Sequence, residues 1–200
     1  MQYKIILTCL SLIASIQLGW AQQNMFSLQY SVGFPTSELN DYIGETSFRG
    51  LALDYTYLTS TNLSFGISGG VNTFYERKGY DTYNEGTASL TGTQYRYTNS
   101  FPIMASVGYF LNPAQTLTPY ASLGIGTIYT LRDTRIGSYS TETDTWHFSL
   151  RPEIGIIYRL SSKLGFKLAG KYYQTFEADE LPAQSYATLD MGIVLYPAPR

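Results

Sequence analysis

From about residue 26 onward, apolar residues recur at every second position, the period of a β-strand whose two faces meet different surroundings. The last such run is the most regular. Ala187, Leu189, Met191, Ile193 and Leu195 share one face, and Thr188, Asp190, Gly192 and Val194 share the other. Before it, Trp146, Phe148, Leu150, Ile154, Ile156 and Tyr158 oppose Ser149, Arg151, Glu153 and Gly155, and Phe166, Leu168 and Tyr172 oppose Lys167 and Lys171. The same pattern predicts strands over 26–34, 48–57, 63–75, 95–111 and 120–131, giving eight in all. An even number of antiparallel strands can close into a barrel.

The links between these segments alternate in length. Leu58 to Asn62, Asn112 to Pro119 and Ser161 to Lys163 are short, whereas Pro35 to Ser47, Glu76 to Gln94, Arg132 to Thr145 and Glu177 to Ser185 are longer and polar. Short turns at one end and long loops at the other are the pattern of barrels in the bacterial outer membrane. With the N-terminus on the short-turn side, the long loops face outward and carry most of the acidic residues, namely Glu38, Asp41, Glu45, Asp81, Glu85, Glu142, Asp144, Glu177, Asp179 and Glu180. Pro102 and Pro152 interrupt two strands and lead us to expect a bulge at each, since a closed sheet has no edge for a missing N–H.

The first residues follow a different rule. Lys4, the apolar run Ile5–Ile16 and Gly19-Trp20-Ala21 read as a secretory signal peptide cleaved after Ala21, leaving a single barrel domain over 22–200. The apolar run is too short and too interrupted by Ser11, Ser15 and Gln17 for a membrane anchor. The one cysteine, Cys9, falls inside the signal, so neither a disulfide nor a thiolate metal site is expected in the mature chain. With one His as well, no metal or other cofactor is expected. Charged residues make up 14% of the chain and aromatics 16%, whereas a water-facing surface needs roughly a quarter to a third charged residues. The formal net charge is −2 with no basic run, which leaves no case for nucleic-acid binding.

Composition also decides which face points outward. A soluble, lipocalin-like ligand-binding barrel would carry Lys, Glu and Thr on its polar face, but here that face is mainly Gly, Ser and Ala, as suits a narrow filled lumen. Aromatics gather at strand ends, with Tyr95, Tyr97, Phe101, Trp146, Phe148 and Tyr172 toward the loops and Tyr57, Tyr109, Tyr158 and Tyr196 toward the turns. Such rings favour the two membrane–water interfaces. The fold expected is all-β, an eight-stranded antiparallel up-and-down transmembrane barrel. Its polar face holds Asp54, Arg151, Glu153, Lys167, Lys171 and Asp190. A three-residue turn at 161–163 sets Glu153 opposite Lys171 and implies an ion pair between them, within a mixed-charge structural network across the lumen.

The Ala-Gln-Gln start of the mature chain, the eight alternating strands and the terminal run Leu189-Asp-Met-Gly-Ile-Val-Leu-Tyr196 resemble small outer-membrane barrel-domain proteins of Gram-negative bacteria, including the PorT-like group and the OmpX and OmpA barrels. The resemblance spans the mature chain and departs at the C-terminus, where Pro-Ala-Pro-Arg follows Tyr196. It implies outer-membrane lipid, lipopolysaccharide and the barrel-assembly machinery as partners, with an unidentified extracellular or envelope protein at the loops. One enzymatic alternative rests on His147-Phe148-Ser149, a His-x-Ser pair similar to that of lipid A deacylase barrels. Here the pair has inward parity, so a role for the loops without catalysis is the expected function.

Overall fold

The computed structural model describes residues 23–85, 88–137, 139–178 and 181–197. The expected signal segment, residues 1–21, and the loop residues Asp179 and Glu180 lie outside them. Eight strands, β1 (Gln23–Pro35), β2 (Ser47–Leu58), β3 (Leu63–Glu85), β4 (Ala88–Phe110), β5 (Leu117–Ile136), β6 (Tyr139–Arg159), β7 (Leu164–Thr175) and β8 (Tyr186–Leu195), pair in sequence order, and β1 closes on β8 to complete the barrel. Every ladder is antiparallel. Outward positions form an apolar band in which Ile67, Ile103 and Ile154 are well over half exposed, as lipid-facing side chains should be. Aromatics rim this band, with Tyr75 beside Tyr97 and Tyr129 beside Trp146 at ring centroids of 4.9 and 5.1 Å. Asn62 and Asn112 take positive φ in the short turns, a conformation that asparagine tolerates better than most residues.

Both proline expectations need correction. Pro102 pairs with Ile128 and Pro152 with Leu123 in unbroken register, and on their other sides the β3–β4 and β6–β7 ladders lapse briefly and resume in the same register. Each proline therefore costs a local pairing and does not flip any face. The irregularities recorded among the described residues lie elsewhere, between Ser31 and Gly33 against β2, and between Lys78 and Tyr80 against β4.

The strands also extend further than alternation indicated. Two of the expected long loops are hairpins: β3 and β4 stay paired to Glu85↔Ala88, and β5 and β6 to Ile136↔Tyr139. Above the membrane both faces of a strand meet polar surroundings, so the period-two signal fades while the ladder continues. The result is a wall of uneven height. The four central strands have 23, 23, 20 and 21 residues, and β1, β2, β7 and β8 have 13, 12, 12 and 10. The first loop contains a single turn of helix, α1 (Ser37–Tyr42).

Candidate functional site: a tiered lumen under a surface sheet

Inward-facing residues sort into three tiers. Nearest the short turns, Met25, Leu58, Phe110, Tyr120, Ile157, Ala169, Val194 and Tyr196 form a buried apolar cluster. Phe110 and Tyr120 stack at 4.8 Å, and Arg159 lies 4.7 Å from the Tyr196 ring. Tyr196 thus corrects the interfacial expectation: it is buried in the turn-side mouth, tied by its N–H to the Lys163 carbonyl, and does not join the outer aromatic rim.

Above this lies a charged tier that contains the six charged residues expected on the polar face. Asp54, Arg151, Glu153, Lys167, Lys171 and Asp190 are each at most 7% exposed. Lys167 Nζ sits 2.7 Å from Asp54 Oδ2 and 3.1 Å from Glu153 Oε1. Lys171 Nζ pairs with Asp190 Oδ2 at 2.7 Å and with Asp54 Oδ2 at 3.4 Å, while Arg151 Nη2 lies 3.2 Å from Glu153 Oε2. Glu153 and Lys171 are cross-strand partners in the backbone, but no ion pair joins them; each side chain turns to other partners, which corrects the expected contact. Neutral groups complete the tier. Gln29 donates to Asp54 at 2.6 Å, Tyr120 to Glu153 at 2.5 Å and Ser31 to Asp190, while Ser68 accepts from Arg151 at 2.6 Å. Three cations balance three anions. That matters because a buried charge without a partner is strongly unfavourable. The space left among these groups, bordered by Ser27, Ser64, Ser106 and Ser122, is about 20 Å³, enough for about one water molecule and far short of a solute path.

The third tier closes the loop-side mouth, and sequence reasoning missed it. Phe74, Met104, Ile128, Tyr173 and Tyr186 point inward from the strands, and Leu39 and Ile43 drop onto them from α1 and its C-terminal flank. A six-residue helix is not stable alone, so its anchoring is tertiary. The Tyr42 ring is flanked by the Arg132 and Arg96 guanidinium groups at 3.9 and 4.7 Å, Arg96 donates to the Tyr42 carbonyl at 2.9 Å, and the Thr36 N–H donates to the Ser185 carbonyl at 3.1 Å. The available signal was parity: large apolar residues on the otherwise polar face near the strand tops. We expect Leu39→Ala to release this cap locally. Hydrogen exchange of the 39–43 amides should accelerate while the barrel's global unfolding midpoint stays fixed, because the ladders below are untouched.

His147 and Ser149 are both fully buried on the inward face. His147 Nδ1 lies 3.0 Å from the Phe176 carbonyl and Ser149 donates to the Gln174 carbonyl at 3.1 Å, so each is turned to backbone. The hydrogen bond from serine to base that would activate a nucleophile is not among their contacts.

Closure of β1 on β8 around a filled interior, inside an exposed apolar band, is the architecture of a membrane barrel. Residues 5–192 match the family described as outer membrane protein beta-barrel domain. The chain belongs to that family. This outer-membrane barrel is also similar in fold to three solved structures. One is a major outer membrane protein from Thermus thermophilus (12% identity, TM-score 0.56, covering 86% of this chain and 99% of that one). Another is Neisserial surface protein A (11%, 0.54, 87% and 96%). The third is Ail, the attachment invasion locus protein of Yersinia pestis, in complex with the heparin analogue sucrose octasulfate (12%, 0.51, 88% and 97%). At these identities the likeness is one of fold. No curated protein sequence matches the barrel significantly.

Proposed function

We propose that this protein, exported with loss of residues 1–21, is a non-conducting and non-catalytic outer-membrane barrel that holds a β-sheet outside the cell as a contact surface for an extracellular or envelope protein. Lipopolysaccharide and other outer-membrane lipid surround it, and the barrel-assembly machinery inserts it. The observation that carries the reading is an open strand edge. β6 pairs with β5 along its whole length down to Tyr139, but its ladder with β7 begins only at Ser149↔Thr175. From Tyr139 to His147, one side of β6 has no neighbouring strand among the described residues. An unpaired edge offers its N–H and C=O groups to an added strand, with main-chain hydrogen bonds supplying affinity. The sealed tiers beneath argue against transport, and the backbone-bound His147 and Ser149 argue against acyl transfer.

Parity identifies the available donors. Ile136↔Tyr139 flanks a two-residue link, so the odd-numbered residues of β6 bond to β5, and Ser140, Glu142 and Asp144 direct their backbone groups to the open side. The Phe148 carbonyl agrees with this, since it accepts from the Phe176 N–H on that side at 3.0 Å. A photo-crosslinking residue at Ser140 on intact cells should give a discrete adduct. Glu142→Pro with Asp144→Pro should abolish it by removing two edge donors, while the barrel's heat-modifiable migration on gels persists. An adduct that survives both prolines would refute strand addition at this edge.

A further inference from the structure

Where the short strands stop and β3 continues upward, the outer wall carries a groove of about 390 Å³ lined by Phe48, Arg49, Thr73, Tyr75, Glu76 and Arg77. Its position relative to the lipid follows from β3. The outward residues Leu63, Phe65, Ile67 and Val71 are followed by Tyr75 and then Arg77. At roughly 3.3 Å per residue and a tilt of about 40°, Tyr75 stands near 30 Å above Leu63 along the membrane normal. That is the upper limit of the hydrocarbon layer, and Arg77 is one row beyond it, among headgroups. Phe48, 65% exposed, borders the same groove, set outward next to Arg49 by the irregularity in the β1–β2 ladder.

The charges in the groove are not equivalent. Glu76 is engaged, its Oε2 accepting the Gly44 N–H at 3.0 Å and its Oε1 3.9 Å from Lys78, and Glu45 lies exposed at the rim. Arg49 and Arg77 are exposed and, among the described residues, form no ion pair with a carboxylate; their guanidinium groups lie over the Tyr75 and Tyr95 rings at 5.9 and 5.8 Å. A guanidinium held against an aromatic face keeps its N–H fork free, and that fork matches phosphate oxygens in a bidentate fashion.

We propose that this groove binds an outer-leaflet lipid that carries phosphomonoester groups, with Arg49 and Arg77 holding phosphate and Phe48 covering the start of an acyl chain. Two features favour a lipid over a soluble phosphate. The groove is continuous with the lipid-facing band, and its apolar side chain lies at the height where acyl chains begin. The inference rests on the membrane orientation proposed above, with the long hairpins outside.

Native mass spectrometry of the full-length mature barrel, purified folded in mild detergent and supplied with equimolar bisphosphorylated lipid A and phosphatidylethanolamine, tests the site directly. Bisphosphorylated lipid A should be retained over phosphatidylethanolamine by about 30-fold, taking roughly a fivefold gain for each of the two arginines near an anionic surface. Arg49→Gln with Arg77→Gln should bring the two lipids to parity, whereas Lys163→Gln in the opposite turn should leave the preference unchanged. Equal retention of both lipids by the wild type, or an undiminished preference in the double variant, overturns the proposal. Heat-modifiable migration of each variant separates a lost site from a lost fold. Protease cleavage of the β3–β4 hairpin on intact cells tests orientation independently, so failure of the site and failure of the orientation give different results.

Discussion

Asp54→Leu should destabilise the barrel by about 3–5 kcal/mol, the usual cost of removing one partner from a buried ion pair, measured as the urea midpoint of the detergent-folded protein. Asp54 is the hub of the charged tier: its Oδ2 receives Lys167 at 2.7 Å, Lys171 at 3.4 Å and Gln29 at 2.6 Å. Removing it leaves two anions, Glu153 and Asp190, to balance three cations within a space that admits about one water. A charge-matched double change, Asp54→Leu with Lys167→Met, should recover most of the loss. Lys171 keeps Asp190 and Arg151 keeps Glu153, and the new pair packs against Met25 and Val194, which border the same space. Equal destabilisation by the single and double variants would show that packing, and not charge balance, holds this tier.

Gly192→Val should prevent barrel closure altogether. A Cβ at Gly192 would lie 2.0 Å from the Leu28 carbonyl oxygen and 2.6 Å from the Gln29 Cα, distances that no side-chain adjustment relieves because both atoms are backbone. Gly192 pairs with Gln29 across the seam where β8 meets β1, so the strands would have to separate at the one ladder that converts a sheet into a ring. The expected readout is loss of the heat-modifiable form and degradation of the unassembled chain in cells. Gly170→Val is the matching control, since nothing lies within 4 Å of its added Cβ and β7 should accept it. A Gly192→Val protein with normal heat-modifiable migration would mean that the seam tolerates a wider strand spacing than a regular ladder has.

The parts of the fold legible in the sequence were those with a different medium on each side. Ala187 through Leu195 alternate because lipid lies outside and a packed lumen inside, and the inward parity of Asp54, Arg151, Lys167 and Asp190 could be counted from the same alternation. The three-residue turn at Ser161–Lys163 placed Glu153 and Lys171 in the observed backbone register, but backbone register does not determine which of several charges a flexible lysine reaches. The hairpin extensions escaped because residues 76–94 and 132–145 have no apolar side to mark. Pro102 and Pro152 were read as bulges, whereas each only interrupts one ladder, which resumes in the same register. The loop-side cap depends on Leu39 and Ile43, two apolar residues in a polar loop, and nothing local shows that they fold back over Phe74 and Tyr186. Tyr196 was assigned to the interface on composition, although its even number puts it with Val194 on the inward side.

The uneven rim has a consequence for the molecule's behaviour among its neighbours. With β3 to β6 rising well above β7, β8, β1 and β2, the barrel is not the same from every bearing within the plane of the membrane. In the proposed orientation, a molecule diffusing along the cell surface meets a standing sheet when it approaches from one side and a low ledge, with the groove at its corner, when it approaches from the other. Rotation about the membrane normal therefore becomes a variable of recognition. A partner that grips the β6 edge fixes the compass direction of the barrel as well as its position, so an array of such complexes would be oriented, with every low side turned the same way relative to the bound partner.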